Sequence, residues 1–334
     1  MPMNETIYAT AFDGEQIIEN AEVTVEKGIV TAINQNQIGQ GSGFFLMPGL
    51  IDAHTHMGTR EQVDIMLRNG ITATCDVSAP AELVAESEYL RIIPSAGMAM
   101  GVVMNPKRFV EKAVANGAKY IKVLLFNPMS IGKHALNGIV KEAHDRNLKV
   151  AVHATELATV GQAVEADADI LLHVPMKEAF PPELAREIAR KGIAVAPTLV
   201  MMETFSVSGR NGYQPEHYAN AEAAVRLLRA EGVTILGATD ANPGNFAPEV
   251  VYGSSMHREL ELLVKAGLSP VEALSASTSL TARVFGISGT GKIKVGSHAD
   301  MVLVEGRPDR NITDSRQVLR VWSKGKNVWE KGNQ

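Results

Sequence analysis

Between residues 48 and 240, apolar runs of strand length alternate with amphipathic helical stretches. This rhythm constrains the fold more than any other feature of the 334-residue chain. Eight runs read as strands: 50–56, 71–77, 92–98, 120–126, 150–155, 170–174, 193–199 and 234–239. Several are apolar throughout, as parallel strands covered on both faces are. Helical periodicity falls between them, at 62–69, 106–116, 138–146, 157–165, 182–191 and 215–231. Eight β-then-α units predict a closed (β/α)8 TIM barrel. The alternative is a doubly wound open sheet, but no Gly-x-Gly-x-x-Gly turn follows the first strand. Two further helices are expected at 256–266 and 270–277.

The chain ends have a different texture. Residues 6–12, 21–26 and 29–33 are short β-like pieces separated by turns such as Asp13-Gly14 and Lys27-Gly28. Residues 301–305, 318–322 and 326–329 repeat the pattern. Neither set is apolar enough to form a core alone. We therefore expect an α/β protein in which a small β-sandwich domain, built from residues 1–47 and 286–334, sits beside a barrel domain spanning 48–285.

With 45% hydrophobic residues the chain can bury a large core, and a net charge of −5 gives no reason to expect a nucleic-acid partner. Cys75 is the single cysteine, so no intramolecular disulfide forms and a reducing compartment fits. No apolar run approaches the roughly 20 residues needed to span a bilayer. The N-terminus, Met1-Pro2-Met3-Asn4-Glu5, lacks the pattern of a signal peptide. The expectation is a cytoplasmic protein with a small-molecule substrate and no membrane partner; a homo-oligomer is left open.

Catalytic groups in such barrels cluster at the C-terminal ends of the strands. His54 and His56 end the first strand, in Pro48-Gly49-Leu50-Ile51-Asp52-Ala53-His54-Thr55-His56. Side chains two residues apart on a strand share a face, so both imidazoles can reach one metal ion. Lys122 lies in the fourth strand, His153 and His173 end the fifth and sixth, and Asp240 follows the eighth. The spacing agrees with the barrel: His56 and Lys122 are 66 residues apart over three units, and His153 and His173 are 20 apart over one.

These six residues resemble the ligand set of the amidohydrolase superfamily, in the binuclear branch that carries a carboxylated lysine. The chain is similar to prolidase-like and imidazolonepropionase-like members. Ser279-Leu280-Thr281-Ala282-Arg283 and the segment from Gly291 to Asp300 also look like family segments, so the resemblance spans nearly the whole chain. It implies two divalent metal ions, zinc first among them. His54, His56 and Asp240 would hold the more buried ion and His153 and His173 the other. Lys122, as N6-carboxylysine formed with CO2, and a bridging hydroxide would join the two. Asp240 would be the catalytic base.

Lys122 also has its own logic. An unpaired ammonium in an apolar strand is costly, and burial lowers a lysine's pKa until a neutral amine is available to form a carbamate. The alternative is that Lys122 points outward and carries its charge to the surface.

The function expected is hydrolysis of an amide-type bond in a small molecule: a dipeptide, an N-acyl amino acid or a cyclic amide. Three other readings stay open: a mononuclear deaminase with Glu156 of His153-Ala154-Thr155-Glu156 as proton shuttle, a lactone or phosphoester hydrolase, and a non-catalytic scaffold. Glu156 reads equally as a carboxylate at a helix start, with Thr155 as the cap. Residues 203–216 read as a loop in which Arg210 could receive a substrate carboxylate and Tyr213 could line the site. His134, His144, His217, His257 and His298 are expected to be surface or capping residues. Cys75 and Asp76 are expected to be buried, and Met98, Met100, Met104, Met201 and Met202 to be packing or pocket residues.

Overall fold

The computed structural model describes residues 4–35, 41, 43–126 and 129–332. Met1–Met3, on which part of the N-terminal reading rests, lie outside them. The described strands are β1 Glu5–Phe12, β2 Ile17–Glu26, β3 Ile29–Gln35, β4 Phe44–Pro48, β5 Leu50–Thr55, β6 Ile71–Asp76, β7 Arg91–Pro94, β8 Met98–Ala99, β9 Ile121–Leu125, β10 Val150–Ala154, β11 Ile170–Leu172, β12 Ala194–Ala196, β13 Met301–Glu305, β14 Val318–Ser323 and β15 Lys326–Glu330.

The alternating middle of the chain forms two parallel sheets, β5-β6-β7 and β12-β11-β10-β9-β8. Backbone bonds connect them at both edges. Lys119 N–H donates to Pro94 O at 2.8 Å, just before β9. On the other side Leu236 N–H donates to Val195 O at 2.8 Å, Asp240 N–H to His54 O at 2.9 Å and His56 N–H to Ala241 O at 2.8 Å. Residues 234–241 thus run between β12 and β5. They occupy the place expected of an eighth strand but make only isolated bridges, at Ile235 and Ala241. Two features interrupt the ladder: Thr239 N–H is taken by the Asp52 carboxylate at 3.0 Å, and Asp240 adopts a left-handed φ of 58°.

The expected helices are present with shifted ends, for example Arg60–Arg68 and Lys133–His144; Leu157–Glu165 and Pro182–Lys191 match the sequence reading. Three helices were not expected: Ala81–Glu86, Leu199–Ser208 and Ser279–Phe285. Leu199–Ser208 corrects the reading of 203–216 as a loop. Its first turn is buried at Leu199, Val200, Met201 and Met202 in succession, so it lacks the one-sided apolar stripe that betrays a surface helix. No described helix is long and apolar enough to cross a membrane.

Strands from both chain ends share one seven-stranded sheet, β15-β14-β13-β4-β1-β2-β3. Where a sandwich was expected, the hydrogen bonding is continuous and the sheet curls. Ile29 bridges His298, and Ala299 N–H donates to Gly28 O at 2.9 Å. Ile7, Val23, Leu46 and Trp322 pack together on one face, while Phe45, Met47, Val302 and Val321 join the main core.

The Pro48-Gly49 corner carries the chain from this sheet into β5. A Cβ on Gly49 would lie 2.0 Å from Thr72 Oγ1 and 2.6 Å from Asp300 Oδ1, so only glycine fits. Asp300 also meets Arg91 at 3.3 Å and accepts from Thr72, tying the C-terminal segment to β6 and β7.

Glu259, fully buried on the helix Ser254–Lys265, holds the start of Leu199–Ser208 by accepting from Val200 N–H at 2.7 Å. Burial raises its pKa to about 8, against the pull of the Val200 and Leu199 amides. A carboxyl whose folded pKa is raised contributes stability below its unfolded value, near 4.5, and loses it as pH rises through 8. The melting temperature should therefore fall as pH rises from about 4.5 to 8 and level off above that. Glu259→Gln keeps an acceptor for the amides and should flatten that slope, by an amount on the order of 1.4 kcal/mol per pH unit at most. Parallel melting curves that keep the same slope would show that Glu259 does not titrate in this range.

Candidate metal centre

β5 delivers His54 and His56 to one place. Their ring centroids are 5.1 Å apart, and the Nε2 atoms lie 3.2 and 3.1 Å from the same Asp240 oxygen, Oδ1. The three residues form a compact group able to hold a metal ion. His54 is buried, and its ring is 5.4 Å from that of His173, which in turn is 4.4 Å from His153. Lys122 projects from β9 into the same cluster, with Nζ 3.5 Å from His54 Nε2. It is 1% exposed, so it does not carry its charge outward. All six residues line a single pocket of about 290 Å³.

The backbone is bent to make this possible. His173, Thr198 and Asp240 have left-handed φ values of 73°, 50° and 58°, each just beyond the end of a parallel strand or in the 234–241 segment. Such conformations cost a non-glycine residue energy and concentrate at functional sites. Thr198 Oγ1 is hydrogen-bonded to His173 Nδ1 at 2.7 Å, which leaves Nε2 as the free nitrogen of that ring.

Electrostatics fit a ligand set. Burial first, then the Lys122 charge and the neighbouring imidazoles, holds His54 and His153 well below the usual histidine range. His173 is lowered by burial, His153 and Lys122 in turn. Neutral imidazole is the form that binds metals. Burial also lowers Lys122 to about 7, with Asp240 opposing. His153 Nε2, His173 Nε2 and Asp240 Oδ1 are buried without a hydrogen-bond partner. Convergent unpaired donors of this kind are costly for a protein alone and suit a divalent cation.

Other expectations divide. Tyr213 lines the pocket, as do Met98, Met100, Met201 and Met202. Arg210 does not: it is exposed on the short turn Arg210–Gly212. Met104 is 89% exposed and packs against little. Glu156 is exposed and is itself the N-cap of Leu157–Glu165, with its N–H donating to Thr159 Oγ1 at 3.2 Å; Thr155 was the expected cap. His257 is buried, not on the surface, and hydrogen-bonds Ser315 Oγ and Asn69 O away from the pocket. Asp76 is buried and accepts from Thr55, Met57, Ser78 and Ala79, fixing the loops after β5 and β6.

Sequence reasoning missed Asp52. Its carboxylate accepts from His54 N–H, Thr239 N–H and Thr239 Oγ1, at 3.1, 3.0 and 2.5 Å, and so locks the His-bearing strand to the segment that carries Asp240. Burial raises its pKa to about 7. A signal was present: Asp52 precedes His54 by two positions and shares its face. Phe246, whose ring stands 4.7 Å from that of His56, left no comparable trace.

A profile of the Amidohydrolase family matches residues 45–328. This chain belongs to that family. Members of that family generally use divalent metals. An imidazolonepropionase from Cereibacter sphaeroides is 30% identical to this family member over 182 residues, covering 54% of the chain and 41% of the relative. The chain thus aligns with less than half the length of that relative. Among solved structures, a Xaa-Pro dipeptidase with bound methionine in the active site has a TM-score of 0.81 at 19% identity, covering 97% of this chain and 99% of that one. A. niger ochratoxinase has a TM-score of 0.79 at 22% identity, covering 98% and 96%. At these identities the two structures speak to the fold alone.

Proposed function

We propose that this chain is a metal-dependent hydrolase that cleaves an amide-type C–N bond of a small molecule, in the class of cyclic amides, N-acyl amino acids and dipeptides. The observation that carries this reading is the convergence of six donor residues on one pocket, with the His153 and His173 Nε2 atoms buried without a hydrogen-bond partner and Asp240 Oδ1 shared by the His54 and His56 nitrogens. His54, His56 and Asp240 would hold one ion, His153 and His173 a second, and Lys122 as N6-carboxylysine would bridge them. Zinc suits the nitrogen-rich donor set. When bound, such ions lower the pKa of water and polarise a carbonyl.

The chain's own residues do the rest. The Lys122 amine, brought to about 7 by burial, forms a C–N bond to CO2 and releases a proton, giving an anionic oxygen donor. Asp240 takes a proton at its carboxylate and hands it to the leaving nitrogen. Thr198 orients His173, and Asp52 keeps the His-bearing strand in register with Asp240.

The fold reading that goes with this is a (β/α)8 barrel over 48–285, closed by residues 234–241, with 1–47 and 286–334 as the second domain. The edge bonds from β12 through 234–241 to β5 support it. We place the protein in the cytoplasm, in keeping with a single buried thiol.

A second reading has one ion. The compactness of the His54, His56 and Asp240 group favours it. Its deaminase form would need Glu156 as a shuttle, and that side chain is exposed at a helix start.

Metal analysis of the purified protein, paired with a hydrolysis screen over cyclic amides, N-acyl amino acids, dipeptides and lactones, tests the proposal. We expect about two ions per chain, with amide hydrolysis lost on chelation and restored by Zn²⁺. Full activity after chelation would overturn it.

A further inference from the structure

We propose that the substrate is uncharged and apolar around the scissile bond, and that derivatives bearing a free carboxylate are excluded. This rests on the hydrolase reading above and narrows it to cyclic amides and carboxyl-blocked acyl amides, excluding N-acyl amino acids and dipeptides with a free carboxylate.

The pocket wall carries the inference. Apart from the six proposed ligands it has fourteen lining residues, eleven of which are Met, Phe, Leu or Ala. Six of the chain's fourteen methionines are among them. Methionine packs adaptably against irregular apolar and aromatic groups. Phe126 meets His153 edge-on with centroids 6.0 Å apart, and Phe246 stands against His56, so aromatic faces flank the proposed ligands on two sides. The three remaining lining residues, Thr155, Asn211 and Tyr213, are neutral.

What a carboxylate would need is missing from this wall among the described residues. Lys122 is the only basic side chain other than histidine that lines the pocket, and it is buried against His54. As a carbamate it would itself be an anion. Arg210 is exposed and off the wall. Lys177, beside the pocket, donates to the Asn211 carbonyl at 2.9 Å and lies 4.9 Å from the Tyr213 ring centroid. Arg258 is held by Glu203 and Glu261 at 2.6 and 3.2 Å. An anion placed among thioethers and phenyl rings loses its hydration with no free cationic side chain on the wall to compensate. A neutral apolar group loses nothing and removes apolar wall from water. Met100 and Phe246, 42% and 62% exposed, are the wall residues with most to gain.

The test uses matched pairs: N-acylphenylalanines and the corresponding primary amides, each with acetyl, hexanoyl and benzoyl groups. Binding to the chelator-treated full chain is measured by calorimetry at pH 8.5. Hydrolysis by the metal-loaded protein is measured alongside. We expect the amides to bind at least about tenfold more tightly than the acids, which is about 1.4 kcal/mol. Affinity should rise from acetyl to hexanoyl and benzoyl. Met100→Arg places a cation on the wall at a half-exposed site and should reduce the preference at least about tenfold, because a paired carboxylate is no longer penalised.

Acids that bind as well as amides, amides that do not bind, or a Met100→Arg preference equal to wild type would each overturn the proposal. Preferential binding of the amides without metal-dependent hydrolysis would uphold the pocket inference while the hydrolase reading fails.

Discussion

Lys122→Ala should bind one metal ion in place of two and lose turnover by on the order of 10²-fold or more, as losses of groups that hold a metal in place do. The lysine is 1% exposed and is held by burial at about 7, so near neutrality about half of it is unprotonated and able to form the carbamate. Alanine removes both the amine and the bridging oxygens. Short carboxylic acids with bicarbonate should restore part of the activity by supplying oxygens from solution. Melting curves should show the variant folded, since the lost group is a poorly compensated buried base. Glu156→Gln, run beside it, should change turnover little, because Glu156 is exposed at the N-cap of Leu157–Glu165. A one-ion deaminase reverses the pattern: Lys122→Ala would keep its ion and much of its activity, and Glu156→Gln would abolish ammonia release. Metal stoichiometry and rate, measured on both variants, decide between the two.

Asp240→Asn should be inactive under either reading, with turnover down by about 10²–10⁴-fold, the range for losing a positioned acid–base group. The substitution is close to isosteric, and asparagine tolerates the left-handed φ of 58° that Asp240 adopts, so the backbone has no reason to move. Two effects combine. The amide cannot take a proton, and its NH2 can donate to the His54 or His56 nitrogen that now lies about 3.2 Å from the carboxylate, occupying a lone pair the metal would use. Metal content should therefore fall with activity while the melting temperature holds. Retention of activity to within about tenfold would remove Asp240 from the chemistry.

Much of this protein could be read from its sequence because period and spacing are local properties. The apolar runs around His54, Lys122 and His153 mark parallel strands, and the whole β-then-α units that separate them place their ends together. The six candidate donors were named on that basis, and all six line one pocket. The paired β-pieces at the chain ends likewise share one sheet, although its curl, set by bonds such as Ala299 N–H to Gly28 O, has no sequence signature.

Contacts between distant segments decided the rest. Residues 234–241 look like a regular strand, yet the Asp52 carboxylate takes the Thr239 amide and breaks the ladder where Asp240 must turn. Leu199–Ser208 hides its helical period because its first turn is buried on every side. Arg210 had the right chemistry to hold a carboxylate, but the turn at 210–212 leaves it in solvent. The pocket wall is the clearest case. Its methionines and phenylalanines come from many separate segments between Met98 and Phe246, each unremarkable as core composition. Only when folding brings them around the histidines do they become a surface with a preference for uncharged ligands.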